Sequence, residues 1–341
     1  MKAVVIPRAG SYDQLKIEDL ADPPCPVGSV ALEVGAIGVN YADCVARMGL
    51  YASAKQYVGW PLTPGFEVAG TVAGNGGASL PDGTQVLAVT RFGGYATRIC
   101  VPRHQVFPVP RGWSLEDAAG FPTAFLTAWY ALNHLARPRA KETLLVHSAA
   151  GGVGGALVQL GKLLGCRVIG VVGAPHKVEY VRSLGADAVI DKSSETLWRM
   201  VERLAPEGCD VILDANGAET LRQGYDHLAP AGRLVIYGFH SMLPRHGGKP
   251  NWPKLAWQWL RTPRFNPLDM TTTNRSVLAF NLSFLFDRKD ILIEAMDWLL
   301  ARAAAGQLKP APTTVLPFAE VAEAHRRLES GETMGKLVLK P

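Results

Sequence analysis

The residues best suited to chemistry form a glycine-rich turn, His147-Ser-Ala-Ala-Gly-Gly-Val-Gly154. An apolar run typical of a strand precedes this turn, and an amphipathic segment typical of a helix, Val153–Leu164, follows it. The turn matches the second and third glycines of a G-x-G-x-x-G pattern, with Ala149 at the first position. These glycines allow a backbone to approach a pyrophosphate and a helix to pack closely on a strand. We therefore predict a dinucleotide site at Ala150, Gly151, Gly152, Val153 and Gly154.

The next apolar run, Arg167–Gly173, indicates which dinucleotide is bound. Sites for NAD place an acidic residue at the end of this strand to hold the ribose 2′-hydroxyl. Here Ala174-Pro-His-Lys177 follows, without an acid, and Gly173 joins the candidate contacts. Lys177, and Lys192 after the next strand, would attract a 2′-phosphate; the alternative for each is an ordinary solvated lysine. The pattern predicts NADPH.

The elements that must position these residues differ between the two halves of the chain. From Thr143 onward, apolar runs alternate with helix-length segments, which predicts an α/β fold with a doubly wound parallel sheet. The first 120 residues carry short apolar runs between Pro- and Gly-rich turns, which is typical of a β-rich domain. Gly74–Gly77 is interpreted as a hairpin turn, and the final run GKLVLK as a strand that returns to the β-rich domain.

An unusual stretch at about 241–274 is rich in Pro, Trp and basic residues. Its tryptophans lie beside Lys254, Arg261 and Arg264, a combination that suits a lipid interface. A lid or a dimer contact is the favoured interpretation, so membrane association is an alternative and not the expectation.

Composition excludes several classes of protein. The 341 residues are 48% hydrophobic and 19% charged, which predicts a folded protein. The net charge of +5 is not gathered into a Lys/Arg run, so no nucleic-acid partner is expected. No apolar run approaches the roughly 20 residues that span a bilayer. Five cysteines, odd in number and without a C-x-x-C pair, predict neither a disulfide framework nor a zinc site, and favour a cytoplasmic protein.

Several motifs together resemble the zinc-free quinone oxidoreductase family of the medium-chain dehydrogenase/reductase superfamily: Gly38–Asp43, Arg47–Tyr51, Pro64–Gly70, Phe92–Ala96, the glycine-rich turn and Met334–Val338. The insertion followed by Asn274–Ser283 is similar to the branch that contains a synaptic vesicle membrane protein. The resemblance implies a GroES-like catalytic domain over residues 1–120 and 284–341. It implies a Rossmann NADPH-binding domain over residues 121–283, with the insertion inside it.

Two departures from the zinc alcohol dehydrogenases concern the metal. Those enzymes carry Cys in a G-x-C motif and His in a G-H-E motif, whereas this chain has Asn40 and Phe66 there. Cys44 and His104 remain as scattered ligand candidates that do not make a site, so no metal is predicted. Without a Lewis acid, a quinone or an enone is the expected acceptor, because conjugation spreads its developing charge.

The resemblance also assigns site residues. Asn40 would form a hydrogen bond near the nicotinamide ribose; the alternative is that it only caps a turn. Tyr51 would donate a hydrogen bond to the reduced oxygen, or else be structural. Tyr41 and Arg47 are weaker candidates, since Arg47 could serve only to anchor Asp43. His147 is interpreted as a packing residue in preference to an acid–base group. The remaining predicted cofactor contacts are Thr127, Asn216, Phe239, Phe280, Asn281 and Lys336.

The sequence therefore predicts an NADPH-dependent, zinc-independent oxidoreductase that passes hydride to a quinone or an α,β-unsaturated carbonyl. The alternative is a non-catalytic NADPH-binding protein with a membrane or partner role. The apolar run Ser276–Ser283 is expected to form the sixth, outermost strand of the parallel sheet. A homodimer through this edge is expected; in the competing interpretation, the insertion covers the edge and the protein stays monomeric.

Overall fold

A computed structural model describes residues 1–74 and 80–341, so the hairpin predicted at Gly74–Gly77 lies almost entirely outside the described residues. The strands are β1 Lys2–Val5, β2 Lys16–Asp19, β3 Ser29–Val39, β4 Glu67–Val72, β5 Gln85–Val89, β6 Arg98–Pro102, β7 Val106–Pro108, β8 Thr143–Val146, β9 Arg167–Val172, β10 Ala188–Asp191, β11 Cys209–Asp214, β12 Leu228–Ile236, β13 Ser276–Ala279, β14 Thr313–Pro317 and β15 Lys336–Lys340.

The helices are α1 Tyr41–Arg47, α2 Ala52–Tyr57, α3 Leu115–Ala119, α4 Pro122–Trp129, α5 Gly152–Leu163, α6 Val178–Ser183, α7 Leu197–Leu204, α8 Leu221–Asp226, α9 Trp252–Arg261, α10 Pro267–Thr273, α11 Lys289–Ala304 and α12 Val321–Ser330. A π-helical segment, Tyr130–Ala136, follows α4. In the part of the chain that the structure describes, no helix has the length and apolar character needed to cross a membrane.

The first compact unit comprises Met1–Leu126, Arg245–Lys249 and Ser283–Pro341. Its main sheet has the order β14-β15-β3-β4-β5-β7, and β6 also pairs with β3. The closing strand β15 runs antiparallel to β3, with Leu337 opposite Val39, so the end of the chain returns to the β-rich unit as predicted. Alternating apolar side chains of β3, β4 and β5 form its core, because successive residues of a strand face opposite sides.

The second unit comprises Thr127–Pro244 and Pro250–Leu282. Its six strands are all parallel, in the order β10-β9-β8-β11-β12-β13. Numbered from β8, this is the 3-2-1-4-5-6 order of the Rossmann fold. The near-continuous apolar runs form buried strands, as expected for a sheet covered on both faces. The predicted fold class is confirmed.

The outermost strand is β13, as predicted, but it is shorter than predicted. It ends at Ala279, and residues Leu282–Leu285 form a turn of 3₁₀ helix. The prediction that the strand continues to Ser283 is therefore wrong. A short apolar run does not by itself distinguish a strand from a helical turn, and here only the first half of the run pairs with β12.

Two cysteines form a bond that the sequence did not predict. Cys25 and Cys100 are joined by a disulfide, with their Cα atoms 5.4 Å apart. The expectation of no disulfide framework did not anticipate this pair, while Cys44, Cys166 and Cys209 are free and buried. The two partners are 75 residues apart in the chain, and their proximity depends on how β6 pairs with β3.

Candidate cofactor site and active site

Most predicted cofactor contacts follow directly after the strands of the parallel sheet. Because parallel strands end at the same edge, these residues lie along one edge of the second unit. The glycine turn follows β8, Gly173 follows β9, Lys192 follows β10, Asn216 follows β11, Phe239 follows β12, and Phe280 and Asn281 follow β13. The sheet therefore gathers residues from most of the second unit on the side where such folds bind dinucleotides.

The glycine turn has the geometry that a phosphate site requires. A Cβ at Gly154 would lie 2.1 Å from Ser148 O, so only glycine allows α5 to pack against the turn. A Cβ at Gly151 would meet only Ser148 O, at 3.4 Å, which leaves the other side of this backbone open. Since α5 begins at Gly152 and has twelve residues, its first N–H groups and its dipole are directed at that opening. The residues present fit a dinucleotide pyrophosphate.

His147 and Asn216 connect the turns after β8 and β11, the adjacent strands at which the strand order reverses. The Asn216 side chain donates to His147 Nδ1 at 3.1 Å, so the proton of a neutral ring lies on Nε2. Nε2 has no hydrogen-bond partner among the described residues, and Asp214 Oδ2 is 3.8 Å away. Burial lowers the pKa of His147, and the Asp214 carboxylate opposes this. A fully buried, neutral His147 agrees with the packing interpretation.

Asp214, which the sequence analysis missed, fixes the turn that carries Asn216. Its Oδ1 accepts hydrogen bonds from the backbone N–H groups of Asn216 and Gly217, and its Oδ2 accepts one from Thr220 Oγ1 at 2.5 Å. The signal available in the sequence was an acid at the end of a buried strand, followed by Asn and Gly.

The two candidate lysines differ in exposure. Lys177 is only 6% exposed, at the start of α6, so the alternative of an ordinary solvated lysine is wrong for it. Lys192 is exposed, and its Cε lies 3.6 Å from where a Cβ at Gly173 would be. A side chain at position 173 would therefore contact Lys192.

Asn40 and Lys336 meet at a buried carboxylate in the first unit. Glu67 Oε1 accepts hydrogen bonds from Asn40 Nδ2 at 2.8 Å and from Lys336 Nζ at 2.6 Å, while Oε2 accepts from the Thr123 backbone N–H. Lys336 also donates to Asn40 Oδ1 at 2.8 Å. Glu67 belongs to the Pro64–Gly70 motif, but the sequence alone did not predict a role for it. Its position beside Phe66 was the available signal.

An aromatic cluster surrounds Tyr51. Phe66 packs on Phe92 with ring centroids 4.9 Å apart, and Tyr51 meets both rings edge-on. A cavity of about 190 Å³ adjoins Tyr51 and is also lined by Gly49, Ala54, Lys55, Gly59 and Trp60. The position that holds a histidine ligand in zinc alcohol dehydrogenases is therefore filled by an apolar ring.

Asp43 organises the loop that carries Asn40. It accepts hydrogen bonds from the backbone N–H groups of Asn40 and Gly65, both at 2.8 Å, and from Tyr95 Oη at 3.1 Å. Burial raises the pKa of Asp43 to about 7, and these donors act against that rise. The carboxylate therefore fixes the backbone on both sides of the Asn40–Glu67 contact.

Arg47 does not hydrogen-bond Asp43, so the prediction that it anchors this residue is wrong. Its guanidinium donates to Glu329 Oε1 at 2.7 Å, to His325 Nδ1 at 3.0 Å and to the carbonyl oxygens of Gly10 and Gly248. It is fully buried, so it is not a substrate contact. The side-chain partners lie about 280 positions away, on α12, and no local pattern could have paired them.

Cys44, His325 and Glu329 form the one group of metal-ligating side chains found among the described residues, within 4.8 Å of one another. His104 is not part of it. Both nitrogens of His325 are engaged, by Arg47 and by Tyr95, and Glu329 accepts from Arg47 and from Tyr12 Oη. The Arg47 guanidinium thus takes the place that a cation would need, and these residues do not fit a metal.

The predicted residues divide between the two units. Asn40, Tyr51 and Lys336 belong to the first unit. Thr127, at the start of the second unit, is nearly buried on α4, and Phe280 packs on Tyr130 with centroids 4.9 Å apart. Tyr41 is largely buried next to Asn40, and burial raises its pKa above the ordinary range.

Comparison with known proteins assigns this architecture to a class. Residues 26–111 match the model of the alcohol dehydrogenase GroES-like domain, and residues 184–339 match a model described as zinc-binding dehydrogenase. The rat synaptic vesicle membrane protein VAT-1 homolog is 31% identical over 345 residues, covering all of this chain and 84% of that protein. These matches define an oxidoreductase fold of the medium-chain dehydrogenase/reductase superfamily.

Solved structures narrow the class. The quinone oxidoreductase of Thermus thermophilus is 32% identical, with a TM-score of 0.81 and full coverage of both chains. The Escherichia coli quinone oxidoreductase complexed with NADPH is 25% identical, with a TM-score of 0.85 and full coverage of both chains. The chain therefore belongs to the quinone oxidoreductase family. The VAT-1 homologues are among the relatives of this chain.

Proposed function

We propose that this protein is an NADPH-dependent oxidoreductase that reduces a quinone or an α,β-unsaturated carbonyl without zinc. The observation that carries the proposal is that one chain combines a dinucleotide-binding sheet edge with an aromatic cluster, Tyr51, Phe66 and Phe92, where zinc enzymes place a ligand.

The cofactor is NADPH, which supplies a hydride when bound. Gly151, Gly154 and the N-terminus of α5 would hold its pyrophosphate, and Lys177 and Lys192 its 2′-phosphate. The NADPH complex of the Escherichia coli relative supports this assignment. Glu67 and Lys336 hold the Asn40 amide in one orientation. In this proposal, the amide held in that way hydrogen-bonds the nicotinamide ribose.

The proposed zinc independence is supported by the residues that stand where zinc enzymes have ligands. Phe66 has no atom that could bind a metal, and the Asn40 amide already bonds Glu67 and Lys336. The matched zinc-binding dehydrogenase model covers residues 184–339 and includes neither position. A conjugated carbonyl suits this site, since its developing charge is delocalised. Tyr51, beside the cavity of about 190 Å³, would donate a hydrogen bond to the substrate oxygen.

The test is NADPH oxidation with a panel of quinones, enones and simple ketones, combined with elemental analysis after dialysis. We expect turnover of quinones or enones, none of simple ketones, and no stoichiometric zinc. Tyr51→Phe should lower kcat by at least about tenfold if its hydroxyl assists the reduced oxygen. Tyr57→Phe, an exposed tyrosine on the adjacent α2, is the matched control. One zinc per chain, or turnover of simple ketones alone, would contradict the proposal.

A further inference from the structure

Helix α9 is arranged with its apolar side outward. Trp252, Trp257 and Trp259 are 66%, 60% and 66% exposed, and Leu260 is 69% exposed. The buried residue of this helix is instead a polar one, Gln258, which donates to Glu219 Oε1 at 3.1 Å. We call Trp252, Trp257, Trp259 and Leu260 the tryptophan face. An exposed apolar patch of this kind marks an interaction surface, because leaving large rings in water is unfavourable.

The tryptophan face is firmly attached to the second unit. Phe265, which follows α9, packs against Tyr225 with ring centroids 5.1 Å apart, and Met270 of α10 packs on the core of the parallel sheet. Thr273 Oγ1 lies 3.1 Å from Tyr225 Oη. Leu268, on α10, is a further exposed apolar residue of this segment, at 75% exposure. The segment is therefore anchored through one side, and it presents its apolar residues on another.

The charged residues of α9 and of the few residues that follow it are all basic. Between Asp226 and Asp269 the chain contains no acidic residue, yet α9 and the residues just after it carry Lys254, Arg261 and Arg264. The Arg261 guanidinium lies 5.8 Å from the centroid of the Trp257 ring. Basic residues flanking exposed tryptophans complement a surface that is apolar inside and anionic outside.

We propose that the tryptophan face docks on the surface of a bilayer that contains anionic lipids. Tryptophan favours the interface between water and hydrocarbon, and each nearby Lys or Arg adds attraction to an anionic headgroup layer. A helix of ten residues is about 15 Å long, half the hydrocarbon thickness, so it lies in the interface and does not cross it. A second copy of this chain fits less well, because a two-fold contact of the tryptophan face would bring the basic residues of α9 together without an acid on that helix to offset them.

The experiment is flotation of the full chain with vesicles of phosphatidylcholine, with and without phosphatidylserine. We expect binding that requires phosphatidylserine and weakens with salt. Replacing all three tryptophans of the face by Ser should weaken partitioning by more than about tenfold, because the variant loses the rings that favour the interface. Combining Lys254→Glu with Arg261→Glu should have an effect of the same size, since each basic residue contributes roughly a factor of five to the partitioning. NADPH turnover is measured in parallel, so that a failure of the proposed membrane docking can be distinguished from a failure of the proposed oxidoreductase activity.

Matched controls change similar residues elsewhere. Val27→Ser with Ile293→Ser removes exposed apolar residues, and Arg199→Glu with Arg203→Glu reverses exposed charges on α7. Both should bind vesicles like the unchanged protein. If the Ser variant does not fold, the charge-reversal variant, altered only at exposed positions, decides. Equal binding by all variants, or no binding to either vesicle, overturns the proposal. The proposal is also overturned if the unchanged protein does not bind vesicles and light scattering shows that it is a dimer whereas the Ser variant is a monomer.

Discussion

Lys336 and Glu67 form a buried ion pair, with Nζ 2.6 Å from Oε1 and exposures of 5% and 0%. Asn40 bonds to both members, through its amide nitrogen to Glu67 and through its oxygen to Lys336. Lys336 begins the last strand and Glu67 begins β4, so the pair also ties the end of the chain to the sheet. The ion pair therefore holds Asn40, a residue predicted to lie near the nicotinamide, in one orientation.

The first prediction concerns Glu67→Gln. The amide nitrogen of Gln would face either Lys336 Nζ or the Thr123 N–H, both donors, and the lysine charge would lose its partner. We expect a loss of about 3–5 kcal/mol in the free energy of unfolding, measured by urea denaturation. Glu116→Gln, which breaks the Lys340 pair at a surface where Lys340 is 62% exposed, should cost about 0–1 kcal/mol. Similar losses in both variants would contradict the structural role of the Glu67 pair.

The second prediction concerns selectivity for NADPH. Lys177→Met keeps most of the buried stem but removes the charge. We expect NADPH to bind about five- to a hundredfold more weakly, which is the value of one or two charge-assisted hydrogen bonds, while NADH binding stays nearly unchanged. Titration calorimetry with both cofactors measures this. Lys162→Met, which breaks a pair with Asp187 in the same unit, is the control. Equal losses for both cofactors would show that Lys177 acts by packing.

The third prediction is a pH dependence that comes from His325. Burial, together with the neighbouring Arg47 charge, holds the pKa of His325 well below its usual value. Below about pH 6.5 the unfolded chain therefore takes up a proton that the folded chain does not, and stability falls by up to about 1.4 kcal/mol per pH unit. His325→Gln can accept from Arg47 and donate to Tyr95 without titrating, so its stability should fall less steeply as the pH is lowered.

Urea denaturation between about pH 5 and pH 8 measures the difference between the two proteins. His246→Gln, at an exposed position, serves as the control and should keep the steeper dependence of the unchanged protein. If His325→Gln and the unchanged protein lose stability in parallel, His325 is not the source of the dependence.

The fourth prediction concerns the Cys25–Cys100 disulfide. Without reductant, thiol labelling of the denatured chain should find three reactive cysteines, and five after reduction. Because the bond closes a loop of 75 residues, reduction should lower the free energy of unfolding by up to about 4 kcal/mol. The double variant Cys25→Ser with Cys100→Ser should already show that loss and should not respond to reductant. Five reactive thiols without reductant would refute the bond.

The fifth prediction is that β13 mediates a homodimer through the exposed edge of the parallel sheet. Its outer N–H and C=O groups would be satisfied by the same strand of a second copy. Ala279→Lys, at an exposed position of β13, should prevent that pairing, whereas Ala301→Lys on α11 should not. Light scattering of the unchanged protein should give about twice the monomer mass. A monomer at micromolar concentration would exclude the dimer.

Much of the second unit could be predicted from the sequence. The alternation of apolar runs with amphipathic segments indicated the parallel sheet, and Gly151 and Gly154 marked the turn after its first strand. In the first unit, the motif around Phe66 indicated the missing ligand but not the role of Glu67. The role depends on Lys336, which lies 269 residues away in the chain.

The amino-acid order by itself determined the features that depend on near neighbours: the period of each strand and helix, the glycine turn, and the lack of an acid after β9. Such features follow from backbone sterics and local hydrogen bonding within a few residues. Only the tertiary structure decided which distant groups meet, as Arg47 meets Glu329 and Cys25 meets Cys100. It also decided that α9 buries Gln258 and exposes its tryptophans, because periodicity places residues on a common face but does not say which face the rest of the protein covers.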